Sequence, residues 1–198
     1  MSDLEPEQNT PAGDSDAAPP ERRNPALIAT AVALPVALVI GIVVAAVFAG
    51  RNPVKEPVSL GPVPAPASGS AECATLMAGL PDALGDYTRA ELTEPAPEAT
   101  AAWQPAEGEP LVLRCGLDRP AEFDQASPLQ VIDGVQWFEI SGESAGIDAS
   151  SWFAVDRGVY VGLTVPTGVG PTPLQDISGA VSQALPQKPL DPAPVANP

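Results

Sequence analysis

The chain has 198 residues with 25 acids, 9 bases and no histidine, a formal net charge of −16. Without an imidazole there is no histidine base for a serine or cysteine nucleophile and no histidine-ligated zinc or copper site. The acidic balance repels phosphate, so a nucleic-acid partner is excluded as an expectation.

Residues 1–25 hold six acids, Arg22 and Arg23, and no large aliphatic side chain beyond Met1 and Leu4. Such a segment buries too little apolar surface to offset its ordering entropy, so a disordered cytoplasmic tail is expected. Residues 26–50, ALIATAVALPVALVIGIVVAAVFAG, carry no charge. As a helix they extend about 37 Å against a hydrocarbon core of about 30 Å, which predicts a transmembrane helix. The run is longer than a signal-peptide core, although Val47 and Ala49 would suit a cleavage site. It also lacks the polar face of a soluble helix. Arg22 and Arg23 before it balance Arg51 and Lys55 after it, so flanking charge does not orient it. Cysteine usage does: both cysteines, Cys73 and Cys115, follow the apolar run. Paired as a disulfide they place the C-terminal part outside the cytoplasm; two buried free thiols are the alternative. The expected localisation is the cell membrane, single-pass, with the N-terminus cytoplasmic.

Residues 51–70 contain five prolines and read as an extended stalk reaching about 60 Å. A domain over 71–186 follows. Cys73, Leu76, Met77, Leu80 and Leu84 share one helical face, with Pro81 ending the helix near Leu80. In LVLRCGL (111–117), Leu111, Leu113, Cys115 and Leu117 alternate with Val112, Arg114 and Gly116, predicting a half-buried strand. Asp133-Gly134 between LQVI and VQWFEI predicts a type I′ hairpin. SWFAVDRGVYVGLTVP predicts a second hairpin that turns at 156–158, with Val159, Val161, Leu163 and Val165 on one face. In TPLQDISGAVSQAL, Thr172 as N-cap, Pro173 and Gln175 form a capping box ahead of Leu174, Ile177, Val181 and Leu185. The expected fold class is therefore α+β: a small antiparallel sheet of about five strands with an N-terminal and a C-terminal helix, preceded by one transmembrane helix. Residues 187–198 read as a disordered tail.

GESAG at 142–146 matches G-x-S-x-G, but Ser144 has no base: Lys55 and Lys188 lie in proline-rich segments, and no helical period follows. It reads as a turn, and no catalytic residue is assigned. No metal site and no cofactor are expected; Asp118, Glu122 and Asp124 read as solvated surface. Arg89, Arg114 and Arg119 are a candidate anion-binding set, with pairing to local acids as the alternative. Trp103, Trp137 and Trp152 read as core anchors.

The run RRNPALIATAVALPVALVIGIVVAA, a cysteine near LPDALGDYTR, then AAWQPA, LVLRCGL followed by RP at 119–120, GVQWF and VYVGLTVP, resembles the family called domain of unknown function 3515. The similarity covers about 22–186. It implies actinobacterial membrane proteins with one anchor and an extracytoplasmic domain, and it implies no activity. The expected function is a non-catalytic binding or interaction module of the bacterial cell envelope, with an envelope protein as possible partner. The alternatives are a carboxylate-dependent envelope hydrolase and a structural accessory subunit of a membrane complex.

Overall fold

The computed structural model describes residues 25–51 and 55–195. The chain divides into two compact units, residues 1–52 and 53–198. In the first, helix α1 (Pro25–Arg51) is continuous through Pro35. Its described side chains, at 33 and 35–47, are exposed. Among the described residues no helix is long and apolar enough to cross a membrane, which overturns the transmembrane helix expected at 26–50. The tail expected at 1–25 lies outside the described residues, apart from Pro25.

The second unit holds helix α2 (Ala71–Gly79), strands β1 (Ala83–Leu84), β2 (Tyr87–Ala90), β3 (Thr100–Gln104), β4 (Leu111–Leu117), β5 (Gln130–Ile132), β6 (Val135–Ser141), β7 (Ala149–Ala154) and β8 (Tyr160–Pro166), and helix α3 (Thr172–Ala184). The strands form one eight-stranded sheet in the order β1-β2-β3-β4-β8-β7-β6-β5, and every neighbouring pair is antiparallel. Two four-stranded meanders thus meet where β4 pairs β8. The expectation of about five strands is corrected to eight. The three strands missed are β1, β2 and β3. β1 is two residues long, and in TAAWQ of β3 four of five residues are buried, so no alternation marks it. Alanine also has weak strand preference.

Both helices lie on one face of the sheet. Cys73 and Leu76 of α2 and Leu174, Ile177 and Val181 of α3 pack with Trp103, Leu111, Leu113, Trp137, Val161 and Leu163 in the main core. The Ser70 side chain accepts a hydrogen bond from the Cys73 amide at 3.2 Å and caps α2, satisfying one of its orphan donors. Trp137 Nε1 donates to Ser178 Oγ at 2.8 Å and Trp103 Nε1 donates to the Pro81 carbonyl at 2.9 Å, so both buried indoles are satisfied. Trp152 is only partly buried. In α3 the cap is Pro171, with no side-chain hydrogen bond. The Gln175 amide donates to the Pro171 carbonyl at 3.1 Å, so the helix opens one residue earlier than expected and Thr172 forms no capping box.

The opposite face is sealed by proline-rich chain. Val58 bridges Leu92 and packs with Ala102 and Val112; the Ala67 amide donates to the Gly116 carbonyl at 3.0 Å. Residues 55–69, expected as a free stalk, are therefore a cover, and this is why β4 is buried on both faces. A β-bulge between Cys115 and Leu117 turns Leu117 over Gly162 and out of the inward row expected for it. Beside this cover, Phe123, Phe138 and Val155 form a separate cluster. The segment expected as a disordered tail from 187 docks beside it: Ala193 exchanges hydrogen bonds with the backbone of Phe123 and Gln125, each 3.0 Å.

Candidate binding groove

Helix α3 turns Leu174, Ile177, Ser178 and Val181 into the core. The other side of the helix carries Gln175, Gly179 and Gln183 at i, i+4 and i+8 in one row and Asp176, Ala180 and Ala184 in the next; Gln175, Asp176 and Gln183 are exposed, while Gly179, Ala180 and Ala184 are half-buried. Together with Thr75, Gly79, Pro81 and Ala83 from α2 and β1, and Asp133 from the β5–β6 turn, these rows line an open groove of about 720 Å³. A Cβ built on Gly79 or on Gly179 meets nothing within 4 Å. Among the described residues the Gln175 and Gln183 amides, both exposed, make no side-chain hydrogen bond, and Asp133 and Asp176 make no ion pair.

A second cleft, of about 600 Å³, opens at one end of the sheet. Asp86, Glu107, Glu109 and Asp148 line it beside glycines 85, 108, 168 and 170. All four carboxylates are exposed. Among the described residues no group of three or more His, Cys, Asp or Glu could hold a metal ion.

The three candidate arginines are not brought together. Arg89 stands directly across from Trp103, its guanidinium 4.8 Å from the indole centroid, on the helix-bearing face. Burial lowers its proton affinity and the Asp82 carboxylate opposes this. Arg114 points to the other face and donates to the Gly61 carbonyl at 3.2 Å, and burial lowers it as well. Arg119 lies 3.7 Å from the Asp191 carboxylate and donates to the Asp191 carbonyl at 3.3 Å.

GESAG forms the β6–β7 connection: a 3-10 turn at Glu143–Ala145 that ends at Gly146 with φ 69°. A Cβ on Gly142 would come within 2.3 Å of the Ala149 carbonyl oxygen. Both glycines therefore serve the turn, and Ser144 is exposed at its tip.

Cys73 and Cys115 are bonded, with Cα atoms 5.6 Å apart, across 42 positions. They join α2 to β4. The polar feature that sequence reasoning missed is the ion pair of Asp156 and Arg157. It sits in the β7–β8 turn, where Asp, Arg and Gly look like solvated turn residues. The groove was missed too, and its one sequence signal is Gly179 in the interior of an otherwise regular helix.

The family model described as a protein of unknown function, DUF3515, matches residues 32–190. The chain belongs to this family. The match takes in most of α1 and the whole sheet of this DUF3515 protein. No curated protein and no solved structure matches the chain.

Proposed function

We propose that this DUF3515 domain is a non-catalytic interaction module of the bacterial cell envelope, working outside the cytoplasm and recognising a partner through the α2–α3 groove. The observation that carries the reading is Gly179. A glycine inside a helix costs about 1 kcal/mol relative to alanine, and here the space beside it is open, so no neighbour in the domain requires the missing side chain. A partner whose backbone comes close to the helix would require it. The Cys73–Cys115 bond supports the extracytoplasmic location, since structural disulfides persist in oxidising compartments.

The test is a photo-crosslinking residue placed at Thr75, exposed on the α2 wall of the groove, in the full chain in its host cells, with the exposed Ile147 on the β6–β7 loop as the control position. A discrete adduct from position 75 and none from 147 is expected. Equal labelling from both, or none from position 75, removes the groove as the recognition surface.

The end cleft favours a second reading, carboxylate-dependent hydrolysis. Such chemistry divides the work between one carboxyl shielded from water and one that is ionised, and four exposed carboxylates supply no such division. Hydrolysis of envelope glycans or peptides that disappears in the Asp86→Asn and Asp148→Asn variants would favour the enzyme over the module.

A further inference from the structure

We infer that the occupant of the α2–α3 groove is a short, extended, cationic stretch of polypeptide; this rests on the groove reading above and specifies its ligand.

The length of the site suits such a ligand. From Gln175 to Gln183 the helix rises about 12 Å, the reach of about four residues of extended chain. The polar groups fit as well. A carboxamide carries both a donor and an acceptor, so it can pair with a peptide unit on both sides. The groove holds two, on Gln175 and Gln183, one at each end of the row and neither hydrogen-bonded among the described residues. Gly179 stands between them, where a main chain lying along the row would meet the helix most closely. On an alanine or a larger residue the same chain would ride higher and lose reach to both amides.

Charge decides the side chains. Asp133 and Asp176 line the groove with no lysine or arginine among its lining residues. From residue 71 onward the chain carries 18 acids and 5 bases, so the surrounding field also favours a cation. Lysine or arginine at alternate positions of an extended segment would face the two aspartates, while small side chains between them would pass over Ala180 and Ala184.

The probe is a fluorescent, end-blocked Ala-Lys-Ala-Lys-Ala peptide added to the full chain, read by anisotropy at low and at 0.5 M salt. The Ala-Glu-Ala-Glu-Ala peptide and a soluble N-acetylglucosamine tetramer serve as comparators. Saturable binding of the lysine peptide that weakens with salt is expected. Gly179→Leu should weaken it at least tenfold while raising the melting temperature by a few degrees, because open space receives the new side chain and leucine is the better helix former. Asp176→Asn, and Asp133→Asn, in which asparagine tolerates the φ of 47° that Asp133 adopts, should each weaken it about fivefold. Equal binding of the glutamate peptide, unchanged binding to Gly179→Leu, or competition by the glycan overturns the proposal. An adduct from position 75 in cells together with no binding of the lysine peptide refutes the cationic occupant and leaves the groove reading standing. Failure of both refutes both.

Discussion

The Arg157 guanidinium lies 2.8 Å from the carboxylate of Asp156, and the two side chains are 3 % and 0 % exposed. Arg157 also donates to the Gly134 carbonyl at 2.7 Å. Asp156 accepts from the Gln136 amide at 3.2 Å and from the Gln187 side chain at 3.4 Å. Arg157 Nε is buried with no hydrogen-bond partner among the described residues. One tight turn thus ties the β5–β6 hairpin, the β7–β8 hairpin and the C-terminal segment together.

Removing one member of a buried pair strands the other charge. Asp156→Asn should therefore lower unfolding free energy by about 3–5 kcal/mol, and adding Arg157→Met should recover part of that loss. Urea denaturation measures both. A single variant within about 1 kcal/mol of the parent would mean that the guanidinium reaches water.

The disulfide closes a ring of 42 positions, for which loop entropy gives at most about 4 kcal/mol of stabilisation. Cys73→Ser with Cys115→Ser should lower the melting temperature by well over 10 °C for a domain of this size, since about 1 kcal/mol moves the midpoint by several degrees. A midpoint unchanged by reductant would show that the helix–strand contact holds without the bond.

Gly116 has φ +83°, and a Cβ there would fall 2.3 Å from the backbone of Ala67 and Ser68. Gly116→Ala should lift residues 65–69 off the sheet. Hydrogen exchange of the Ala67 amide should rise sharply, while the amides of α3 keep their protection. An Ala67 amide as slow as in the parent would contradict this packing.

The Tyr160 hydroxyl donates to the Asp191 carbonyl at 3.1 Å. Burial first, then the Asp191 carboxylate, raise this phenol above its ordinary value, with Arg119 opposing. A raised folded value means that the unfolded chain ionises first. The contribution is complete below about pH 10 and is lost as pH rises through the folded value. The parent should lose stability over this alkaline window and Tyr160→Phe should lose less; identical pH profiles would remove the phenol from the docking of the tail.

The parts of the fold legible in the sequence are those in which one period or one turn signal acts alone. Cys73 and Leu76 mark α2, Asp133-Gly134 marks its hairpin, and the valines of β8 mark a core strand. The other parts depend on contacts distant in sequence. Val112 reads as outward-facing until Val58 covers it, Leu117 reads as inward until a bulge turns it, and Asp156 with Arg157 reads as a wet turn until Gln187 closes over it. The candidate groove was the least legible, because the solvent side of a helix carries no hydrophobic pattern. Only Gly179 breaks the rule there. The span read at 26–50 rested on the length and the unbroken apolar composition of the run, and among the described residues no helix is long and apolar enough to cross a membrane.

The Ala193 amide donates to the Phe123 carbonyl, and the Gln125 amide donates back to the Ala193 carbonyl. These two bonds give the domain an order of assembly. A chain made from its N-terminus can lay residues 55–69 on β4 as soon as that strand exists, but the Phe123 loop has no clasp until Ala193, far along the chain, has been delivered. A chain cut after Ala184 would have all eight described strands and both helices of the second unit and still leave that loop unfastened.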